Sequence, residues 1–496
     1  MIAALLAGGC ARAPRAARTS VTWLAGHPAP AFDPGGVPDP LRWSLERLLS
    51  RGLVDEDEAG RIVPAAAAAW SWSADGRRLT FHLRRDLRFV DGTRCGSGDF
   101  ARALRAGLAR HDHASNAWLL RAVSGVAFGA ARGRAANEPA LRTPDDSTLV
   151  IQLSRPDSLL LQALALPGVC TPWAAGGGDW AHARGLGPCR VLSVDGPPAS
   201  PRGLVLLRQV AAEGPDTIRV RFQPAPTRVL ALLRSGAPDL VWPAPAALWR
   251  ALLPAGYTRA SAGARPARRL LLVMRHDLPP TSRAVARQAL ALGIRPGGVA
   301  DALGTLGRPT GDWVAGAGER APAGSDAEGA RALLASQGLE RSFHAVMTYD
   351  PSGEGALVAR VLQAQWSTLG IDVELEPVRG MPAGGCWPGR DAHLALVAGA
   401  ALEPGPEGEL MRVAEPPAGP QVGEIATGWR IQTSGLDRAD PSRLQRLVDA
   451  EGVAVPLADL PWWWIERQGA HSTWFHPRYG PECVRMPTSP GARLSN

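Results

Sequence analysis

"LTFHLRRDLRFVDGTRCGSGDFARALRAGL", residues 79–108, changes its period halfway. Leu79, Phe81 and Leu83 alternate with Thr80, His82 and Arg84, the period-2 pattern of a strand with one wet face. Asp91-Gly92 breaks the run, and Asp99 then opens a helical pattern through Phe100, Leu104 and Leu108. Upstream, Asp75-Gly76 separates this strand from "AAAWSW", a pairing that suits a tight hairpin because glycine accepts positive φ. "DDSTLVIQLSRP", residues 145–156, repeats the turn-then-strand arrangement.

Working outward, "VTWLAG" reads as a strand from Val21 to Leu24. "DPLRWSLERLLSRGL" reads as a helix capped by Asp39, with Pro40 at its first position and Gly52 at its end. "RGLVLLRQV" and "DTIRVRFQP" give strands, and "TRVLALLR" a helix. "ARRLLLVMR", residues 267–275, is apolar throughout its centre, as a strand covered on both faces should be. "SFHAVMTYD", "GALVARVLQAQWSTLG" and "IDVELEPV" make a β–α–β unit, so the class is α/β with mixed sheets. The Pro/Gly-rich residues 381–420 read as loops.

A chain of 496 residues exceeds what one core organises, so two or three domains are expected. Its 56 glycines and 45 prolines predict many turns. The excess of 54 basic over 46 acidic residues is all arginine, scattered and without a finger or basic-zipper pattern, which argues against nucleic-acid binding. GxSxG, HExxH, P-loop and dinucleotide motifs are all missing, so no enzyme and no cofactor is expected. The ten histidines form no cluster, His111 and His113 reading as surface residues, and no metal is expected. "MIAALLAGGC" followed by "ARAPRAARTS" is similar to the end of a bacterial lipoprotein signal, with Cys10 as the lipidated residue and a tether to about residue 19. Cys170 and Cys189 flank a Gly/Trp loop that a disulfide could close in an exported protein; Cys386 with Cys483 is a weaker candidate pair.

The stretch around Trp72, Asp75, Gly76, Thr80, Phe81, Leu83, Arg84, Phe89, Asp91, Gly92 and Asp99 resembles bacterial extracytoplasmic solute-binding proteins of the large peptide, dipeptide and nickel class that serve ABC importers. "GLGPCRVLS", "SGAPDL", "VARQALALGI", "VARVLQAQWSTLGIDVEL" and "GVAVPLADL" continue the resemblance in order over about residues 20–490. The resemblance implies a bilobal periplasmic-binding-protein fold with a hinge and a subdomain inserted in the first lobe. Its parts would be a tether at 1–19, lobe I at 20–62, the insertion at 63–186, lobe I again at 187–266, lobe II at 267–456 and a return to lobe I at 457–496. It also implies a peptide or other small-molecule ligand, an ABC permease as partner, a periplasmic or lipid-anchored cell-surface location, and a monomer. A sensor or scaffold lipoprotein of the same fold is the alternative.

Trp462, Trp463 and Trp464 are consecutive, so on a strand they point to both faces and at least one should meet a cleft or interface. Trp23, Phe32, His276, Trp313 and Trp387, at strand ends or in loops, complete the candidate ligand-binding set. Peptide-binding members of the family often hold the ligand's amino terminus on an acidic residue of lobe II. The resemblance offers Asp391, Glu403 or Glu407 for that role, none in a convincing motif.

Overall fold

The computed structural model describes residues 19–34, 39–109, 119–120, 122–125, 139–157, 159–174, 178–210, 214–261, 268–275, 278–311, 324–339, 343–378, 391–399, 452, 454–469, 474–476 and 479–483. In it the opening stretch folds as a hairpin feeding a helix. Strands Ala67–Trp72 and Arg78–Leu83 pair antiparallel across a turn in which Gly76 has φ +64°. Leu79, Phe81 and Leu83 are buried while Arg78 and His82 face water. Gly92, at φ +87°, closes the second turn, where Asp91 Oδ1 accepts from the Thr93 N–H at 2.9 Å and its hydroxyl at 2.6 Å. The helix is Ser97–Leu108 and its cap is Gly96, not Asp99. Asp99 sits at the third helical position, and its carboxylate accepts the Gly96 N–H at 2.8 Å. That is half of a capping box, which places an acidic side chain three residues inside the helix.

Together with Thr148–Gln152 and Leu141–Asp145 these strands make a four-stranded sheet over a core that includes Trp43, Phe81, Phe100, Leu149 and Cys170. A second, seven-stranded sheet runs in the order Tyr257–Ser261, Trp463–Arg467, Leu240–Val241, Ser20–Ala25, Thr217–Phe222, Gly203–Arg208, Cys189–Asp195. Ser20–Ala25 lies near its middle, parallel to both neighbours. The third sheet has six strands, ordered Arg308–Pro309, Ala454–Leu460, Arg268–Met274, Leu394–Gly399, His344–Tyr349, Asp372–Pro377. Arg268–Met274 is central, as its apolar run predicts, with antiparallel partners on both sides.

Helices Ala284–Leu292, Pro296–Leu303, Ala327–Ser336 and Gly355–Ser367 contribute to the largest core, around the six-stranded sheet. That core continues into Leu24, Val241, Trp463 and Ile465 of the seven-stranded sheet. The two lobes of a bilobal α/β fold therefore meet over apolar side chains. The chain leaves the seven-stranded sheet after Ser261, enters the six-stranded sheet at Arg268, and returns through Pro461. No helix among the described residues is long and apolar enough to cross a membrane.

Three expectations are corrected. Residues 394–399, read as loop, form a strand beside the central one; Pro/Gly-rich flanks hide a short apolar run, "LALVAG". The helix starting at Pro40 ends at Leu49, before Gly52, because Ser50 turns extended at φ −145° and ψ 172°, its N–H making the last helical bond to Glu46 O. Cys170 and Cys189 carry free thiols and are not bridged. Cys170 packs in the core of the four-stranded sheet, along with Cys95, whereas Cys189 packs with Cys483 in a third core around Trp23 and Trp180. Burial pushes the thiols of Cys170 and Cys189 up, that of Cys189 to about 12. Cys10 and Cys386 lie outside the described residues.

Candidate ligand cleft at the hinge

Two parallel strands end at the same place. Ser20–Ala25 of the first lobe runs into Gly26 and His27, and His344–Tyr349 of the second runs into Asp350. In α/β sheets the crevice beyond the carboxyl ends of strands is where ligands collect. Here a cavity of about 130 Å³ opens there, with walls from both lobes. The first lobe gives Gly26, His27, Asp39, Trp242 and Trp462 among others; the second gives Arg268, Asp350, Glu354 and Leu396 among others.

Gly26 makes the junction possible. Its N–H donates to Pro243 O at 2.8 Å, and a Cβ there would stand 2.3 Å from Pro245 Cδ and 2.6 Å from Pro243 O. Gly26→Ala is expected to destabilise the protein by about 1–3 kcal/mol through overpacking, measured as a lower urea midpoint with unchanged slope. An unchanged midpoint would remove Gly26 from the list of residues that shape the cleft.

The cleft's fixed charge pair is Arg268 with Glu354, side chains only 10% and 5% exposed. The guanidinium grips the carboxylate with both terminal nitrogens, at 2.9 and 2.6 Å, and Nη2 also donates to Pro461 O at 3.2 Å. Its flat face lies 4.1 Å from the Trp462 ring centroid. One side chain thus ties the entry into the second lobe, the helix starting at Gly355 and the return crossing at Pro461. Burial would raise the Glu354 pKa, but Arg268 overrides it and holds the carboxyl below its ordinary value.

Asp350 turns one oxygen to its own loop, where Oδ1 accepts from the Ser352 N–H at 2.8 Å and hydroxyl at 2.6 Å. Its Oδ2 faces His27 Nε2 across the lobes at 3.8 Å, an ion-pair rather than a hydrogen-bond distance. Burial would lower the His27 pKa; Asp350 and the charge of Asp39 outweigh it and raise it above 6.5. Asp39 caps the helix Pro40–Leu49, accepting the Arg42 N–H at 2.9 Å.

Of the residues singled out in the sequence, Trp462 and Trp463 line the cavity and Trp464 does not. Trp462 packs edge-on against Trp242 at 5.3 Å, and Trp463 against Trp249 at 5.0 Å. Trp464 belongs to the core around Trp23, its indole N–H donating to Glu466 at 2.8 Å. Trp23 is wholly buried, its indole N–H on Trp242 O at 2.5 Å, and Phe32 packs edge-on against Trp173 and Trp180. Neither lines the cavity. Asp391 is exposed and away from it. His276, Trp313, Trp387, Glu403, Glu407, His111 and His113 lie outside the described residues. Sequence reading missed His27, Arg268, Asp350 and Glu354; the available signal was that His27 and Asp350 lie just past strand ends, Arg268 opens a strand and Glu354 stands at the start of a helix.

The family model described as bacterial extracellular solute-binding proteins, family 5 Middle, matches residues 61–384. The periplasmic oligopeptide-binding protein OppA of Haemophilus influenzae is 36% identical over 78 residues, 15% of this chain and 14% of that protein. The dipeptide-binding protein DppE of Bacillus subtilis is 27% identical over 138 residues, 28% of this chain and 25% of that protein. The matched stretches thus span a quarter or less of these curated relatives. The structure of the Escherichia coli murein tripeptide binding protein MppA superposes with a TM-score of 0.78 at 18% identity, covering 95% of this chain and 98% of that one.

Proposed function

The chain belongs to family 5 of the bacterial extracellular solute-binding proteins, and on that premise we propose that it captures a peptide or peptide-like solute outside the cytoplasm for an ABC importer. The observation that carries this reading is the cavity at the hinge, lined from both lobes. A solute held there touches both walls at once, so its binding energy favours the closed form over the open one. The aromatic wall of Trp462 and Trp463 supplies apolar area, while the charged groups opposite orient the solute. The similar proteins are an oligopeptide-binding, a dipeptide-binding and a murein tripeptide-binding protein, which supports a peptide as the solute class.

The location is periplasmic, and a lipid on Cys10 would hold the protein at the membrane surface. The closed monomer would then present both lobes to the permease. Lobe I takes in residues 20–62 and 187–266, the insertion 63–186 and the C-terminal return; because the strand Ala454–Leu460 pairs within the six-stranded sheet, lobe II runs from 267 past the expected boundary at 456 to Leu460.

The test is direct. Protein purified without refolding is denatured, and the released solute is identified by mass spectrometry. Independently, tryptophan fluorescence is titrated with a dipeptide and tripeptide library. A released peptide, or a saturable fluorescence change, is the expected result, since Trp462 and Trp463 line the cavity. No released solute and no change across the library would leave the scaffold alternative standing.

A further inference from the structure

The seven-stranded sheet is closed on one face and only partly covered on the other. Leu204, Leu206, Ile218 and Val220 turn to the core around Trp23. On the opposite face Leu24 and Val241 are covered, sharing a core with Val229 and Leu233 of the helix Pro226–Arg234. That cover stops short of the last three strands, Thr217–Phe222, Gly203–Arg208 and Cys189–Asp195. There Val205 and Leu207 are half-buried and, among the described residues, belong to none of the three cores.

Strand register sets arginines around that apolar strip. Arg219 stands directly beside Val205, Arg190 beside Leu207, and Arg221 lies two residues beyond Arg219 on the same face. Arg219 and Arg221 are exposed and Arg190 is partly so, and among the described residues none of the three has an ion-pair partner. The nearby carboxylates are already taken: Asp195 pairs with Arg202 at 2.9 Å and Asp216 with Arg208 at 2.7 Å. At the sheet edge Leu192, displaced by the register shift between Val191 and Ser193, is 53% exposed. Uncompensated guanidiniums around an apolar strip complement a surface that is anionic outside and apolar beneath, with the arginine stems lying along the apolar side chains. The described chain also begins at this place. The Thr19 N–H donates to Asp216 at 3.1 Å, and Ser20 pairs with Thr217, two residues from Arg219. Ser20 is ten positions after Cys10, at most about 35 Å of extended chain, so a lipid on Cys10 would keep this face within reach of the bilayer.

We propose that this open sheet face is a membrane-docking surface, which lies on anionic phospholipid headgroups with Arg190, Arg219 and Arg221 against the phosphates. The contact is separate from the hinge cleft and needs no solute. A lipid on Cys10 alone tethers the protein at any angle; the arginine face adds an orientation.

The experiment uses the full chain with Cys10→Ser, so that no lipid contributes, and measures cosedimentation with vesicles of phosphatidylethanolamine containing about 30% phosphatidylglycerol. Binding is expected at about 50 mM salt, to weaken strongly at about 300 mM, and to be negligible on pure phosphatidylcholine. Each arginine near such a surface is worth about fivefold in affinity. Arg219→Gln with Arg221→Gln should therefore weaken binding by at least about tenfold with its urea midpoint unchanged, whereas Arg219→Lys with Arg221→Lys should keep most of it. Arg78→Gln with Arg85→Gln removes the same charge from exposed positions in and beside the four-stranded sheet and should change binding less than about threefold. No vesicle binding, equal binding to phosphatidylcholine, or an equal loss in the Arg78 and Arg85 variant overturns the proposal. A dimer in sedimentation velocity without vesicle binding overturns it too, and gives the face to a second copy of the chain.

Discussion

Replacing Arg268 by alanine should cost about 3–5 kcal/mol of folding stability at neutral pH, because it strands Glu354 as a buried carboxylate. The loss has a sign in pH. In the native protein Arg268 holds the Glu354 pKa below 4.5, so this group's contribution is present above that value and disappears as acid protonates the folded carboxylate. In Arg268→Ala the guanidinium is gone while the burial remains, so the folded carboxyl binds its proton more tightly than the unfolded one. The defect should then shrink as pH falls from about 7 to about 4.5. Arg268→Met with Glu354→Leu removes both charges and should recover most of the loss. Urea unfolding of the single and double variants at both pH values reads all of this. A loss below about 1 kcal/mol, or a double variant no better than the single one, would mean that the pair is not what fastens the crossing. Ligand affinity adds a separate readout, since Arg268 also stacks on Trp462 in the cavity wall.

The scaffold was more legible than the site. Alternation at Leu79, Phe81 and Leu83, the Asp75-Gly76 turn and the Asp39-Pro40 start are local signals, written within a few residues and decided by backbone preference. The β–α–β unit from His344 to Pro377 was readable for the same reason, and its parallel register follows from the crossover helix. Leu394–Gly399 was not, since six apolar residues between Pro/Gly-rich flanks look like any short hydrophobic run. The cleft is the opposite case. Arg268 meets Glu354 across 86 positions, and His27 meets Asp350 only because two sheets bring their strand ends together. No local pattern encodes such pairs. The three consecutive tryptophans did carry a signal, because alternation along a strand must divide them between faces, and Trp463 packs in a different core from Trp462 and Trp464.

Glu46 gives the second large effect, and its sign is opposite to that of Glu354. It sits inside the helix Pro40–Leu49 at 1% exposure, and among the described residues neither carboxylate oxygen receives a hydrogen bond. Arg42 Nε stands 3.4 Å from Oε1, an ion-pair contact. Burial raises the carboxyl, Arg42 pulls it back only in part, Asp39 and Asp33 push it further, and the result moves from 4.5 to about 7. The folded state therefore binds this proton more tightly than the unfolded chain. Its stabilising contribution is complete below 4.5 and is lost as pH rises through about 7, a change of about 3 kcal/mol. Glu46→Gln cannot ionise and should not follow that fall. The variant's advantage over the native protein should accordingly grow by about 3 kcal/mol between about pH 4.5 and about pH 8, taken from paired urea titrations. Parallel stability curves for the two proteins across that range would show that Glu46 keeps its charge in the fold, with Arg42 compensating it fully.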